Sequence, residues 1–550
     1  MLDKRKMKYL KILTTISLGL LFVITQAQEP FSVSTFECIS LYWSPKGGKT
    51  DKDVIVKYKE AGSKLWRDAL PMKYNPIDTI ELDLTDYRGS IVKLKPGTDY
   101  EISLQLEASK HKEIIRAKTW SEDFPIGKVI KPANGNTQLN ITESGSAEGY
   151  LLIDGTGIII DMNNVDDYCF NISGNYIIIR GFHLAGGRKG LIILNDCHDI
   201  VIENCDMTRW GEVTEYGFGV NYQAAIFSES RQLERVIIQR NKIHHPRYGS
   251  NSWAEPHSDD GSNHPEGPQG ISFENSAGNH VIRYNEIWSD KDHKYNDILG
   301  FGYNFSYRGF PGPDSDIYGN YLSNCYDDAI ESEGGNRNVR IWGNFIEDGY
   351  MAIANISTTI GPIYIWENVA RKSYSPPGSS YGEFAMFMKM GERGDWMTGL
   401  TYVFNNTLLC FNEDGFGGIG TSEGEPVREL RNLTTRNNIL WVRKKGDSFS
   451  LGNDRGNNNL DYDLCSGKYP KGYEKNGIKG KPDFVKDAGF DFMGKTANFQ
   501  LAPSSLGVDA GTTIPNFKET YNGKAPDMGA FKSGQPPKEY GVNAYLKNGQ

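Results

Sequence analysis

The chain has 550 residues, enough for more than one domain or for one domain beside a large repeat array. Its composition is 38% hydrophobic and 23% charged with 61 glycines, a β-rich, turn-rich balance that argues against disorder. The formal net charge is −9, and about −13 without residues 1–27, which carry +4, so nucleic acid is disfavoured as a partner.

The opening, MLDKRKMKYLKILTTISLGLLFVITQAQ, has a basic start, an apolar stretch from Ile12 to Ile24 and small Ala27 near its end. It reads as a secretory signal peptide over residues 1–27, which predicts a secreted or periplasmic protein. The apolar stretch is short for a membrane span, and no later segment is long enough to be one. Cys38 lacks a lipobox-like context, so a lipid anchor is not expected. The seven cysteines are scattered without CxxC spacing. Cys169, Cys197, Cys205 and Cys325 read as small buried apolar groups, with disulfides allowed but not required.

Residues 28–122 alternate with period two in ECISLYWSP, DVIVKYKEAG, KLWRDALP and VKLKPGTDYEISLQLEA, the pattern of short strands in a small sandwich. LKPGTDYEISL, with Trp43 upstream, resembles a fibronectin type III domain. That resemblance implies that Tyr100 closes a corner between strands, that Trp43 packs the core, and that the module spaces or docks its neighbour without catalysis.

Residues 123–550 follow another frame. NYIIIRGFHLAGG, HDIVIENCDMTRWG, ERVIIQRNKIHHP, NHVIRYNEIWSD, SDIYGNYLSN, NVRIWGNFIEDG and GPIYIWENVARKS each carry an apolar strand, a small or polar turn residue and a second strand. Asn204, Asn241, Asn285, Asn320, Asn344 and Asn368 are expected to share one position, with a period of 24 between the last three. Short strands repeating at this period predict stacked coils whose inward residues form a core only when stacked. The pattern, with the ending GVDAGTTIP…APDMGAFKSG, resembles the right-handed parallel β-helix enzymes that act on carbohydrates. The expected fold is therefore all-β, a right-handed parallel β-helix preceded by a fibronectin III-like sandwich. The combination also resembles polysaccharide-degrading proteins of Bacteroidetes-like bacteria, which implies an anionic plant or algal polysaccharide, or its oligosaccharides, as the target.

Insertions in solenoids gather on one face. Two long ones follow Asn241 and Asn285, and six of the nine histidines (His244, His245, His257, His264, His280 and His293) fall within residues 244–293. Tyr248, Trp253, Tyr295, Tyr303, Tyr307, Arg247 and Arg308 are interleaved with them. One reading is a polar lid without chemistry. The other is a sugar cleft, with aromatic faces for pyranose rings and Arg or His for acidic groups, in which His244, Arg247, Tyr248, Trp253, Tyr307 and Lys389 bind substrate. No HxH or HExxH pairing fixes two ligands on one element, which argues against zinc. Calcium needs only oxygen ligands on loops and is the cofactor this pattern suits.

YDDAIESEGG places Asp327, Asp328, Glu331 and Glu333 within seven residues. Stacking the coils by apolar residues aligns Ile271, Leu299, Ile330 and Met386 inward and turns Asp327, Glu331 and Glu333 outward. Gln269, Asp297 and Asp328 then share a column, with Asp297 and Asp328 about 5 Å apart on neighbouring coils. Glu274, Gly302, Glu333 and, two coils on, Lys389 share another, so Glu274 and Glu333 are the expected metal pair. An exposed acidic row can be merely solvated. Crowded carboxylates beneath lids also suit an acid and a base, or a cation site.

Two chemistries fit. In β-elimination on a uronate, a base removes the proton beside the carboxylate while donors or a cation stabilise the charge that builds there. The β-helix polysaccharide lyases do this with Lys, Arg, His or Tyr beside calcium or an Arg, which here implies His245, His264 and Arg308 with the acidic row. Loss of water instead of sugar would make the enzyme an oligosaccharide dehydratase. The alternative is hydrolysis: NDILGFG followed by YDDAIESEGG is similar to polygalacturonase-type hydrolases, implying Asp297, Asp327 and Asp328 around an inverting water. The chain departs from that pattern in a lengthened coil, in EDGYMAIAN where a Gly-His-Gly turn is expected, and in lacking Arg-x-Lys. A non-catalytic glycan-binding solenoid is the third reading, against which stand irregular coils and long polar lids.

Overall fold

The computed structural model describes residues 28–75, 85–213, 219–221, 223–250, 267–301, 305–356, 360–372, 386–392, 396–410, 416–421, 429–517 and 521–546. Among them there are strands and turns and no helix. Each coil supplies one strand to each of three parallel sheets; in one coil these are Tyr150–Asp154, Ile159–Asp161 and Phe170–Ile172, in the order first, second and third sheet. The described residues place 12 strands in the first sheet, 12 in the second and 11 in the third. Strands pair in parallel with the next coil throughout, so Ile179, Ile202, Ile238, Ile282, Ile317, Ile341 and Ile365 form one inward column. The fold is a parallel β-helix, its core filled by such β-branched columns.

An amide ladder runs through the turn between the first and second sheets. Asn241, Asn285, Asn320, Asn344, Asn368, Asn406 and Asn438 each donate Nδ2–H to the next member at 2.8–3.1 Å, and Asp463 accepts at the end. Each amide also donates to a main-chain carbonyl of the inward column, as Asn344 does to Ile317 at 3.0 Å. Asn204 does not belong to this ladder, contrary to expectation. Cys205 holds the equivalent place, its N–H donating to Asn241 Oδ1 at 3.0 Å. Asn204 is exposed one residue earlier with φ 54°, in line with Arg240, Tyr284 and Gly343, which turn the chain with the same positive φ. Asn suits that left-handed turn for its own reason.

The third sheet corrects the predicted alignment in one strand. Ile330 pairs with Ile353 of Met351–Ile356, and Ile353 with Met388. EDGYMAIAN thus leads into and supplies most of a third-sheet strand, and Met388 rather than Met386 continues the column of Ile330.

The N-terminal strands form two four-stranded antiparallel sheets. Trp43 is buried in their core, and Tyr100 OH accepts a hydrogen bond from Lys95 N–H at 2.9 Å. This sandwich is docked on the outer face of the first sheet. There Arg340 and Asp316, both with fully buried side chains, pair at 2.6 Å. Arg340 also donates to Ser40 Oγ, and Thr35 donates to Asp316. The seven cysteines are buried free thiols. His280 is also part of the core: its Nδ1 accepts from Val236 N–H at 3.1 Å, and burial, helped by Arg235, brings its pKa down to about 3.

Because each ladder amide serves two coils, replacing Asn344 by Ala strands several buried donors and acceptors. The expected cost is about 3 kcal/mol or more. Asn204→Gly should cost about 0.5 kcal/mol or less. Chemical denaturation of the two variants checks the assignment of the ladder.

Candidate functional site

The turn leading into the third sheet, together with its outer face, gathers five carboxylates and one ammonium. Gln269, Asp297 and Asp328 lie in one column, as the pairing of Ile271 with Leu299 and of Leu299 with Ile330 requires. Gln269 Nε2–H donates to Asp297 Oδ2 and Asp328 N–H donates to Asp297 Oδ1, both at 3.0 Å. Asp327, Asp328 and Asp297 bring carboxylate oxygens within 4.8 Å of one another, and so do Asp328, Glu331 and Glu333. Glu331 Oε2 accepts Phe301 N–H at 3.1 Å, and Glu333 Oε1 accepts Ile356 N–H at 3.2 Å.

Lys389 was expected on the Glu333 column as a substrate contact. The register places it on the Glu331 column, two coils on, with Ala354 between. Across that small residue its Nζ reaches Asp328 Oδ2 at 2.7 Å and lies 3.6 Å from Glu333 Oε1. The preceding position in the column is Gly300, where a Cβ would come within 2.8 Å of Glu331 Oε2. A side chain there would displace the Glu331 carboxylate from this position.

Fully ionised, five carboxylates and one ammonium carry −4 in a region where Asp328, Glu331 and Glu333 are nearly inaccessible. Desolvating ions costs several kcal/mol each unless they are compensated. Burial first, then the neighbouring acids, pushes the carboxyls of Asp328 and Glu331 well above the ordinary range, with Lys389 opposing. Burial pulls Lys389 down, but Asp328, Glu333, Asp327 and Glu331 together outweigh it and raise its pKa well above normal. The cluster must therefore hold extra protons or a cation. Asp328 Oδ1 is buried without a hydrogen-bond partner, an acceptor ready for one or the other. The all-oxygen donor set of Asp297, Asp327 and Asp328 fits calcium, a hard cation that takes carboxylates on loops.

The remaining predicted residues are distributed less compactly. The loop carrying Tyr307 and Arg308 folds back on the acidic coil through the bridge between Gly309 and Gly334. Arg308 Nη1 donates to Asn275 O at 3.3 Å, and the Tyr307 ring lies 4.9 Å from that of Trp396, a residue the sequence reading missed. Glu274 is not gathered with Glu333 in either acidic group; its neighbour is Glu229, which with burial raises its pKa. His244 and His245 belong to a cluster at the edge of the second sheet, their Nδ1 atoms 2.7 Å apart and His244 Nε2 3.1 Å from Asp206. The φ of 49° at His245 brings these adjacent rings together. Tyr248 is exposed beside His293, and Arg247 bonds Asn164. Trp253 and His264 lie outside the described residues. Lys294 was also missed: its Nζ is 5.1 Å from the Tyr326 ring, and burial lowers its pKa to about 8 against Cys325 and Asp348.

No protein-family model matches this chain. No curated protein matches it. Among solved structures it is similar to pectate lyase Pel9A at 15% identity and a TM-score of 0.40, over 74% of this chain and 86% of that one. It is also similar to pectate lyase PelI from Erwinia chrysanthemi at 10% identity and a TM-score of 0.17, over 66% and 88% of the two chains. The same enzyme in complex with tetragalacturonic acid gives 10% identity and a TM-score of 0.13, over 78% and 96%.

The raised carboxyl pKa values have a signed consequence. Between the unfolded carboxyl pKa near 4 and the raised folded value, the folded state binds more protons, so stability falls as pH rises. With chelator present, the melting temperature should drop from pH 5 to pH 8 by more in the parent than in the Asp328→Asn, Glu331→Gln double variant. Adding calcium should shrink the drop in the parent alone. Scanning calorimetry at the two pH values reads this directly.

Proposed function

We propose that the protein is a secreted lyase that breaks a uronate-containing polysaccharide, or oligosaccharides derived from it, by β-elimination. The observation that carries this reading is Lys389, a partly buried lysine at the rim of a carboxylate cluster and held by Asp328 at 2.7 Å. Elimination needs a base beside the uronate C5 and positive charge where the substrate carboxylate becomes enolate-like. Lys389 Nζ takes the C5 proton, the C5–H electrons form the C4=C5 double bond, and the C4–O bond breaks with its electron pair going to the departing oxygen, which takes a proton from solvent. Asp297, Asp327 and Asp328 would hold calcium. A calcium ion held there would supply positive charge for the substrate carboxylate and would offset the acidic field around Lys389. Asp328 aims the Lys389 amine, Gln269 fixes Asp297, and Glu333 accepts from the next coil, so the group is oriented before substrate arrives.

Hydrolysis is less well served. An inverting glycosidase keeps its carboxyls roughly 6.5–9.5 Å apart to admit water. Here Asp297, Asp327 and Asp328 bring oxygens within 4.8 Å, and Asp328 is tied to an ammonium. A non-catalytic solenoid has no use for a buried cluster of this charge. The sandwich, with its Trp43 core and Tyr100 corner, supports a fibronectin type III-like reading as a docked brace for the first sheet.

Incubation of the protein with uronate oligosaccharides and calcium should produce ultraviolet absorbance from a conjugated double bond. Shortened products mark a lyase, and loss of one water at unchanged length marks a dehydratase. Lys389→Ala should lower kcat by about 10²–10⁴-fold, with folding preserved by calorimetry. Shorter products without the absorbance would transfer the site to a hydrolytic mechanism.

A further inference from the structure

The outer column of the first sheet changes character along the solenoid. Its middle is aromatic: Tyr318, Trp342 and Trp366 stack with centroids 4.0 and 5.3 Å apart and belong to apolar clusters that include Phe36 and Val92 of the sandwich. Toward the N-terminal coils the same column becomes Arg180, Glu203, Gln239 and Arg283, one per coil. These planar groups are bonded in sequence, Arg180 Nε to Glu203 at 2.6 Å, Gln239 Nε2 to Glu203 at 2.6 Å and Arg283 Nε to Gln239 at 2.8 Å. Over them opens a cavity of about 910 Å³ bounded by Tyr284 and Tyr545, with Arg240 and Lys242 at its side.

The balance of donors and acceptors in this cleft is uneven. Both Glu203 oxygens are occupied, Gln239 Oε1 takes Arg283, and Glu122 Oε1 takes Arg283 Nη1. Asp206 is engaged by His183 and His244. Cationic donors, in contrast, are left over. Among the described residues Lys242 makes no salt bridge, and Arg180 bonds through Nε alone. Arg240 bonds through Nη1 alone, to the carbonyls of Val542 and Ala544, with its guanidinium 4.8 Å from the Tyr284 ring. Asp123 also lines the cleft; with Arg180 paired to Glu203, the charges left to meet a ligand are those of Arg240 and Lys242, beside the unused Nη donors of Arg180.

We propose that this cleft is a second, non-catalytic binding site for an acidic oligosaccharide, on a different sheet from the acidic cluster. The spare cations meet the sugar carboxylates, the planar row meets hydroxyls, and the tyrosine rings meet pyranose faces. The volume is in the range that holds a small ligand. The inference rests on the chemistry of the cleft and does not require that elimination occur at Lys389.

The test is calorimetric titration of the full-length Lys389→Ala protein with a galacturonate tetrasaccharide and with its carboxyl-reduced, neutral counterpart. Two binding events are expected for the acidic sugar. Lys242→Glu, a change at an exposed position, should weaken one of them about tenfold or more, and Tyr545→Ala should weaken the same event. In the otherwise unaltered enzyme, Lys242→Glu should leave turnover of short substrates unchanged. Binding unaffected by both substitutions overturns the proposal, as does equal binding of the neutral sugar in this cleft. If no uronate is ever cleaved while the Lys242-dependent event persists, the lyase reading fails and this site stands.

Discussion

Backbone hydrogen bonding between parallel coils fixes their separation at about 4.8 Å, and the rest of this structure follows from that spacing. Whatever residue recurs at one position is laid directly on its copy in the next coil. Isoleucine in such a column makes a core, and asparagine makes a ladder in which every amide finds a donor above and an acceptor below. Acids in such a column cannot cohere in this way, because each added carboxylate raises the cost of ionising the others. The coil containing Asp327, Asp328, Glu331 and Glu333 is therefore a place where the solenoid departs from its own stabilising rule. Lys389, reaching back across Ala354, is the compensation the chain itself supplies.

The same spacing explains how the sandwich is held. Asp316 and Arg340 are register neighbours on the first sheet, and their pairing completely inside the interface would be costly as an isolated ion pair. Thr35, Ser40 and the carbonyls of Asn338 and Asp314 satisfy the remaining hydrogen-bonding groups. Such a network fixes one docking register for the module. Its position on the first sheet leaves the outer face of the third sheet, with the acidic cluster, uncovered by it.

Fold class was legible because period-two apolar runs and recurring asparagines are local signals repeated many times. The column of Gln269, Asp297 and Asp328 was legible for the same reason, since QGI, DIL and DAI share a frame. Two errors had a common source, the reading of residue identity without backbone conformation. Asn204 looks like a ladder residue, yet its φ makes it a turn former and hands the ladder place to Cys205. FAMFMKMG offers Met386 and Met388 as alternate inward residues, and residue identity alone does not say which of them pairs with Ile353, so the register of Lys389 was displaced by two. The histidines illustrate a different limit. Their clustering in sequence is real, but His280 is a core acceptor, while His244 and His245 meet only because one residue adopts a left-handed turn. Nothing in the composition of that segment encodes this division.

The corrected register also bears on which chemistry the site can perform. Along the column Ser272, Gly300, Glu331, Ala354, Lys389 and Gly420, the charged residues alternate with small ones. Glu331 and Lys389 thus stand two coil spacings apart, about 10 Å between backbones, with no bulky side chain between them. The carboxylates have been drawn together on one side of that gap, closer than the separation an inverting glycosidase keeps, and the amine approaches from the other. An inverting hydrolase requires the opposite arrangement, acids held apart with the reacting bond between them. On the proposed reading, acids crowded enough to call for a cation, next to a lysine whose proton that cation would loosen, would serve to remove a proton beside a carboxylate. The departure from the solenoid's stacking rule and the proposed elimination chemistry would then have one origin, the placement of four acids on a single coil.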